Sequence, residues 1–321
     1  MRGTLIGFLV GIHAAIPALS APTLFKPVDC VIGNTCFIQN YVDRDPTSGQ
    51  TDIGCGALSY DGHKGTDFAL PTLRSMEIGV DVLAAAGGVV TGTRIGMRDQ
   101  IATPKNFKEI EGRECGNGVV IDHGDGWVTQ YCHLKNGSVN VAKGQRLKAG
   151  DLIGQIGLSG KTQFPHLHMS LRQNDIVVDP FQPNPNANCG DTQAALWADP
   201  IPYVPGGLID VAFAPAMPDF AAIKAGTASQ TEMPNNAKAL VLFAYGYGSR
   251  PGDQISFTIK GPNGDLMDYS VSLEERQAQY FRAAGKRIPN AGWKSGQYSG
   301  VATLTRGDVV LSQKIANLTI R

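Results

Sequence analysis

The chain has 321 residues, of which 42% are hydrophobic, and it carries 28 basic and 28 acidic side chains. This apolar content is sufficient for two domains with their own cores and excludes a disordered chain. The balanced charge argues against nucleic acid or an anionic membrane as the main partner. The 39 glycines and 19 prolines, spread through short alternating apolar runs, favour strands and turns. We therefore expect an all-β protein.

Residues 1–20 are typical of a secretory signal peptide. Arg2 precedes the apolar run 5–16, and Pro17 with Ala18-Leu19-Ser20 completes the three-part form. The alternative is an uncleaved membrane anchor, but the run is shorter than the roughly 20 residues that span a bilayer. We expect cleavage after Ser20 and no membrane anchor in the mature chain.

The remaining chain divides into four segments by composition. An irregular lead-in occupies residues 21–54, a β-rich domain 55–182, a Pro-rich semi-rigid linker 183–207, and a further β domain 208–321. In the first β domain we predict strands in the runs Val80–Val90, Gly118–Asp122, Trp127–Leu134, Val139–Val141, Asp151–Gly157 and His166–Leu171.

The C-terminal domain is predicted to be a β-sandwich of immunoglobulin-like size. Its runs are Ala239–Tyr245, Gln254–Ile259, Tyr298–Leu304 and Val309–Leu318. Local propensity allows a helix over Leu273–Ala284, but the β surroundings favour a strand with an extended turn. We find no cluster of chemically active side chains in this domain, so we expect a stabilising or binding appendage.

Six cysteines allow 15 disulfide connectivities in an exported protein. Cys115 and Cys132 flank two strand-like runs, and a hairpin would bring them together. Spacing suggests Cys30–Cys36 as a second pair, which leaves Cys55–Cys189.

Polar and apolar side chains alternate along His166-Leu167-His168-Met169-Ser170-Leu171-Arg172. This period of two predicts a strand with one polar face. His166 and His168 then point to the same side.

Five side chains are candidates for a catalytic metal site. Zinc takes three protein ligands and keeps a fourth position for water or substrate. His63 and Asp67 are close in sequence, Gly65 between them allows a tight fold of the backbone, and His168 supplies the third ligand. His166 and His133 are left to transfer protons or stabilise charge.

Around residues 57–182 the sequence resembles the lysostaphin-like (LytM-type) zinc metallopeptidases, which cut peptides of bacterial cell walls. The resemblance lies in GHKGTDFALP, GNGVVIDHGDGWVTQYCHL, VAKGQRLKAGDLIGQIGLSG, PHLHMSLR and VVDPF. It implies a compact, mostly antiparallel β domain of the duplicated-hybrid-motif type. By the same resemblance His63, Asp67 and His168 hold one Zn²⁺ per chain, and His133 and His166 form the catalytic pair.

Other residues are weaker candidates for a role in the site. His123 fits the turn of the family pattern, but DHGDG is explained as a tight turn. Tyr131 lies near the groove or packs in the core, and Asn117 contacts substrate or holds the Cys115 loop. The polar insert 97–114 is too long for a hairpin turn and is a candidate flap. The lead-in offers Asn40, Asp43 and Asp45 as groups that could cover the metal and keep the enzyme latent.

We therefore predict a secreted zinc metalloendopeptidase that hydrolyses peptide bonds in peptidoglycan stems or cross-bridges. Two alternatives stay open: a non-catalytic module that binds cell wall or a partner protein, and a metallopeptidase for other substrates such as Gly-rich proteins. We favour the periplasm over the exterior of a Gram-positive cell because disulfides in a soluble two-domain protein fit it better. The oligomeric state is left open.

Overall fold

The computed structural model describes residues 21–191 and 194–321. The predicted signal peptide, residues 1–20, lies outside the described residues. Within them the regular secondary structure is almost entirely β, with three short helices: α1 (Leu73–Ile78), α2 (Phe107–Ile110) and α3 (Phe220–Ala225). In this part of the chain no helix has the length and apolar character to cross a membrane. The predicted all-β class is confirmed.

The N-terminal half contains an eight-stranded sheet and a separate strand pair. Its strands are β1 (Phe37–Asn40), β2 (Thr66–Ala69), β3 (Asp81–Leu83), β4 (Gly88–Arg94), β5 (Asn117–Gly124), β6 (Trp127–Leu134), β7 (Arg146–Leu147), β8 (Leu152–Gln155), β9 (His166–Gln173) and β10 (Ile176–Val178). The large sheet has the order β1-β2-β9-β6-β5-β4-β7, with β10 also paired to β9, while β3 pairs with β8. All of these pairings are antiparallel.

Strand β9 lies in the middle of the large sheet, between β2 and β6. Its apolar residues Leu167, Met169 and Leu171 are at most 1% exposed and belong to the main core. Because side chains alternate along a strand, the residues between them lie on the opposite face. The predicted polar face of this segment is therefore the face on which a site can be built.

The hairpin of β5 and β6 fixes the position of His133. Asp125 and Gly126 form its turn with φ angles of 53° and 77°, as expected for Asp-Gly in a two-residue hairpin loop. The hairpin brings Cys115 and Cys132 together in a disulfide with a Cα–Cα distance of 4.8 Å.

The other two predicted disulfides are also present. Cys30 is bonded to Cys36, and Cys55 is bonded to Cys189. The second of these ties the start of the peptidase-like domain to the Pro-rich segment. That segment is held further by Trp197, which is 7% exposed and forms a β-bridge with Leu24.

The lead-in is not wholly irregular, because it contains β1. Phe37 and Ile38 are buried, and β1 pairs with β2 as an edge of the large sheet. Four residues are too few to show a clear alternation in the sequence, and the pairing joins segments nearly 30 residues apart. Residues 37–40 are therefore part of the sheet that carries the candidate site.

The C-terminal half forms two further sheets. Their strands are β11 (Gly207–Ala214), β12 (Glu232–Met233), β13 (Ala239–Tyr247), β14 (Gln254–Gly261), β15 (Gly264–Ser272), β16 (Gln279–Arg287), β17 (Gly296–Arg306) and β18 (Val309–Ile320). The sheets have the orders β11-β13-β16 and β12-β18-β17-β14-β15. They enclose a shared apolar core that includes Leu242, Phe257 and Leu304. The sandwich is thus observed, and its immunoglobulin-like character stays a prediction.

Strand β13 is buried on both faces. Leu240, Leu242 and Ala244 belong to the core of the sandwich, whereas Phe243 and Tyr245 belong to the core of the N-terminal half. The three-stranded sheet is therefore a middle layer between the two cores.

Two of the predicted strand runs differ from the structure. The run Val80–Val90 is divided between β3 and β4, with a break at residues 84–87. The run Val139–Val141 is not a strand, because it is a short connection between turns at residues 136–138 and 143–144. By contrast, the strand favoured over a helix within Leu273–Ala284 is present as the start of β16.

Candidate metal centre and active site

The pairing of β2 with β9 brings the predicted metal ligands together. Asp67 lies directly opposite His168 in the register, and their atoms Oδ1 and Nδ1 are 2.8 Å apart. His63 reaches the same point: its Nε2 is 3.2 Å from Asp67 Oδ1 and 3.1 Å from His168 Nδ1. The three ligand atoms lie within 4.8 Å of one another. Two imidazole nitrogens and one carboxylate oxygen form a donor set that suits zinc and leaves a position for a further ligand.

The remaining polar atoms of two of these side chains are occupied by the lead-in. Nδ1 of His63 donates to the backbone carbonyl of Tyr41 at 2.7 Å, because a carbonyl oxygen can only accept. This leaves the lone pair of His63 on Nε2, which faces the cluster. The Asn40 side-chain amide donates to Asp67 Oδ2 at 2.8 Å, so Oδ1 is the oxygen turned to the cluster. Such outer contacts orient metal ligands and tune their basicity.

Gly65 is required for space rather than for an unusual backbone angle. A Cβ at this position would lie 2.7 Å from ring atoms of His168 and 2.7 Å from the Met169 carbonyl oxygen. The sequence suggested that Gly65 allows a tight turn, but the structure shows that it makes room for the His168 ring. Any side chain here would displace a ligand.

The predicted catalytic pair lies beside this cluster. The rings of His133 and His166 have centroids 4.6 Å apart, and His166 Nε2 is 3.4 Å from Asp67 Oδ1. Nδ1 of His133 donates to the Ser159 carbonyl, and Nδ1 of His166 donates to the Phe164 carbonyl. In its neutral form each ring therefore carries its lone pair on Nε2, as a proton acceptor requires.

His133 has an unusual backbone conformation. Its φ is 63°, in the left-handed region, although it is not a glycine. Its N–H donates to the Cys115 carbonyl at 2.8 Å, and its neighbour Cys132 is disulfide-bonded to Cys115. Conformations of this kind cost about 1–3 kcal/mol and persist where the surroundings impose them. The disulfide and the hydrogen bond to Cys115 hold His133 in place.

Burial and mutual charge set the protonation of these groups. Burial, and then the neighbouring His166 and His168, hold the pKa of His133 well below its usual range. Burial also lowers the pKa of His168, despite Asp67. Burial opposes ionisation of Asp67, but His63 and His166 outweigh it and lower the Asp67 pKa well below its usual value. The site thus combines an ionised carboxylate with two imidazoles, those of His133 and His168, that burial keeps neutral.

His63 responds differently to the same surroundings. Burial acts to lower its pKa, but the charge and hydrogen bond of Asp67 outweigh burial and raise it. Its proton competes with a metal ion for Nε2.

The cluster lies at the floor of an open groove of about 330 Å³. The groove is lined by Tyr60, Gly62, His63, Lys64, Glu114, Cys115, Gln130, Cys132, His133, Lys161, His168, Ser170, Arg172 and Val177. Glu114 is the last residue of the insert 97–114, which therefore contributes to a wall. The Tyr60 ring packs on His63 with a centroid distance of 4.4 Å. A groove that is open along its length accommodates an extended chain.

Several weaker candidates have structural roles instead. His123 bonds the Gly87 carbonyl and Thr129 Oγ1 through its two ring nitrogens, away from the cluster. Tyr131 is fully buried, and its hydroxyl accepts from the Ala85 N–H. The Asn117 side chain bonds both the N–H and the carbonyl of Met97, so it holds one end of the insert.

The lead-in supports the cluster through Asn40 rather than covering it. The carboxylate of Asp43 accepts from the N–H groups of Asp45, Thr51 and Gly62. Asp45 Oδ1 accepts from Thr47 within a local turn. These contacts give neither carboxylate a place at the metal ligands.

Sequence reasoning missed four groups that act through these side chains. They are the carbonyls of Tyr41, Ser159 and Phe164 and the aromatic ring of Phe164, which stacks on His166 at 4.4 Å. Backbone carbonyls leave no signal in the residue type. The only available sign was proximity in sequence, since Phe164 precedes His166 by two residues.

A comparison with protein families matches residues 61–180 to Peptidase family M23. The matched segment contains all five side chains described above. This part of the chain is similar to the M23 peptidases. The predicted resemblance to the LytM-type peptidases is confirmed.

Each curated relative matches only part of the chain. Peptidoglycan DD-endopeptidase ShyA of Vibrio cholerae is 37% identical over 109 residues, which cover 34% of this chain and 20% of the relative. DD-carboxypeptidase/endopeptidase Mpg of Neisseria meningitidis is 33% identical over 135 residues, covering 41% and 26%. This chain thus spans about a quarter or less of these relatives' length.

Solved structures give similar matches. A zinc containing peptidase from Vibrio cholerae is 29% identical, with a TM-score of 0.29 over 46% of this chain and 39% of that one. A putative peptidase M23 from Pseudomonas aeruginosa is 29% identical, with a TM-score of 0.27 over 37% and 41%.

Proposed function

We propose that the protein is an exported, zinc-dependent endopeptidase that hydrolyses peptide bonds of peptidoglycan. The observation that carries this proposal is the convergence of His63, Asp67 and His168 on one point, with the free Nε2 atoms of His133 and His166 beside it. The names of the curated relatives support a cell-wall peptide as the substrate. The three disulfides support a location outside the cytoplasm, and we favour the periplasm.

His63, Asp67 and His168 would hold one zinc ion per chain. A bound zinc supplies Lewis acidity, which polarises a carbonyl and makes water a stronger nucleophile at neutral pH. The fixed tautomer of His63 and the ionised state of Asp67 fit this role, because ligand atoms must be deprotonated to bind a metal.

The two remaining histidines would move the proton. Both begin as acceptors, since their Nδ1 protons are donated to backbone carbonyls. When one Nε2 accepts a proton from the attacking water, that imidazole becomes a donor. It can then stabilise the oxyanion and deliver the proton to the leaving amine. The depressed pKa of His133 keeps this ring neutral before the reaction.

The metal assignment is tested by equilibrium dialysis against zinc. We expect one zinc per parent chain and none for His168→Ala at the same free zinc concentration. His123→Ala is a matched control, because it removes a histidine outside the cluster and should retain the metal. A parent chain that binds no zinc would overturn the proposal.

The activity is tested by release of new amino termini from purified peptidoglycan. Mass spectrometry of the released muropeptides identifies the bond that is cut. We expect His166→Ala and His168→Ala to abolish release while His123→Ala retains it. Binding to peptidoglycan without release would instead favour a non-catalytic module, and cleavage only of Gly-rich proteins would favour the other alternative substrate class.

A further inference from the structure

Arg172 lies on the same face of β9 as the catalytic side chains. It follows His168 and Ser170 at intervals of two residues, and all three line the groove. At about 3.3 Å per residue, its Cα lies ~13 Å along the strand from that of His168. This distance corresponds to about four residues of an extended peptide bound in the groove.

The guanidinium of Arg172 lacks a partner within the described part of the chain. Its Nε is buried and has no hydrogen-bond partner, and no carboxylate forms an ion pair with it. Two other partly buried arginines differ. Arg306 binds both oxygens of Asp253 at 2.8 Å, and Arg44 donates to the Gln182 carbonyl and pairs with Asp179.

An unpaired buried donor is costly, and more so when it belongs to a charged group. The cost is removed when a ligand supplies the acceptor. The planar fork of a guanidinium matches the two oxygens of a carboxylate. The nearby groove residues Lys64 and Lys161 add positive charge, with Glu114 as the one acidic residue lining this groove in the described structure.

We infer that Arg172 binds a carboxylate of the peptide substrate and thereby determines which peptides are cut. The carboxylate is carried about four residues from the scissile bond. Val177, which pairs with Arg172 across β9 and β10, also lines a second cavity of about 430 Å³. The peptide therefore has room to continue past the carboxylate. This inference rests on the proposed function for the identity of the ligand as a cell-wall peptide.

The test uses cross-linked peptide dimers from peptidoglycan, freed of glycan, in two forms. In one form the carboxylates are intact, and in the other they are converted to carboxamides. Calorimetry measures binding of each form to zinc-loaded His166→Gln, in which turnover is blocked. We expect the carboxylate form to bind at least about tenfold more tightly, the usual value of a charged hydrogen bond. If His166→Gln binds the carboxylate and carboxamide forms with equal affinity, the inference is overturned.

In the His166→Gln background, the further substitution Arg172→Gln should remove the preference for the carboxylate form. Affinity for the carboxylate form should fall, while affinity for the carboxamide form should stay unchanged. Arg172→Lys should keep part of this preference, because lysine retains the positive charge but lacks the planar guanidinium that can bind both carboxylate oxygens. Arg146→Gln, an exposed arginine on β7 outside the groove, should behave as the parent. A loss that is equal for both peptide forms would show a merely structural role and overturn the inference.

Turnover by the parent separates this inference from the proposed function. A parent that prefers the carboxylate form in binding but releases no amine would contradict the proposed function and support the role of Arg172. A parent that cuts both forms with equal kcat/KM and binds them equally would support the function and contradict the role of Arg172.

Discussion

The backbone carbonyl of Tyr41 lies 2.7 Å from Nδ1 of His63, and this contact makes the lead-in a part of the metal centre. The next residue toward the N-terminus, Asn40, contacts Asp67. The last residue of β1 and the residue that follows it therefore orient two of the three candidate ligands. A segment that was expected to cover the candidate metal site instead contacts two of its candidate ligands.

Asn40→Ala should weaken zinc binding by about 10- to 100-fold, the usual cost of losing an outer-shell partner. The loss arises because Asp67 Oδ2 no longer has a donor and the carboxylate is free to rotate. Competition with a fluorescent zinc chelator measures the change. Asn34→Ala removes the same side chain from an exposed turn of the lead-in and should leave affinity unchanged. Unaltered affinity in Asn40→Ala would show that the contact has no influence on the ligand.

Gly65→Ala should abolish zinc binding while the protein stays folded. The new Cβ would lie 2.7 Å from the His168 ring, and both the ring and the backbone near it would have to move. Gly92→Ala is a suitable control, because its Cβ would have no atom closer than 3.9 Å. Zinc stoichiometry and circular dichroism of the two variants provide the comparison. Normal zinc content in Gly65→Ala would contradict the steric role.

Removal of the Cys115–Cys132 disulfide should lower both stability and turnover. With Cys115→Ala/Cys132→Ala, the free energy of unfolding should fall by about 3 kcal/mol and kcat by about tenfold, because His133 is released from its left-handed conformation. Cys30→Ala/Cys36→Ala should cost about 2 kcal/mol with kcat unchanged, since that pair lies outside the groove. Urea unfolding and peptidoglycan hydrolysis measure the two quantities. Equal kcat in the two double variants would show that the disulfide does not position His133.

Asp179 should make stability depend on pH. Burial, only partly offset by the Phe181 N–H and Arg44, raises its pKa from 3.8 to about 6. The folded state therefore holds the proton more tightly than the unfolded state. The contribution of Asp179 to stability is greatest below about pH 4 and declines as pH rises to 6, by about 3 kcal/mol in total.

Asp179→Asn should remove this decline in stability. The difference in the free energy of unfolding between variant and parent should therefore grow from pH 4 to pH 7. Urea unfolding with a chelator present throughout isolates the effect from metal loss. Asp199→Asn, on the surface, should show a constant difference. A constant difference for Asp179→Asn as well would place the pKa of Asp179 near its ordinary value.

The sequence was sufficient to predict the parts of the site that depend on strand period. His166 and His168 share a face because they are two residues apart, and the structure keeps this arrangement. Contacts between β1 and β2 were beyond sequence reasoning, because the pairing of Asn40 with Asp67 depends on a register that includes an irregularity after Ile38. Asn40 was recognised as a polar group near the metal, but which of its contacts would form was not predictable.

The two-layer prediction for the C-terminal domain missed the burial of β13 on both faces. The segment Ala239–Tyr247 is apolar at nearly every position, which is typical of a strand covered on both sides. We interpreted it as one of the alternating strands of a sandwich. The uninterrupted apolar run was the available signal.

The double burial of β13 also bears on motion. Domains joined by a flexible segment usually rotate about it, unless a large apolar contact prevents this. Here Phe243 and Tyr245 insert into the core of the N-terminal half, so any rotation of the sandwich would pull aromatic rings into water. The groove therefore keeps a fixed orientation relative to the sandwich. Under the proposed function, a surface of the sandwich that contacts the cell wall would hold His133 and His166 at a set distance from it.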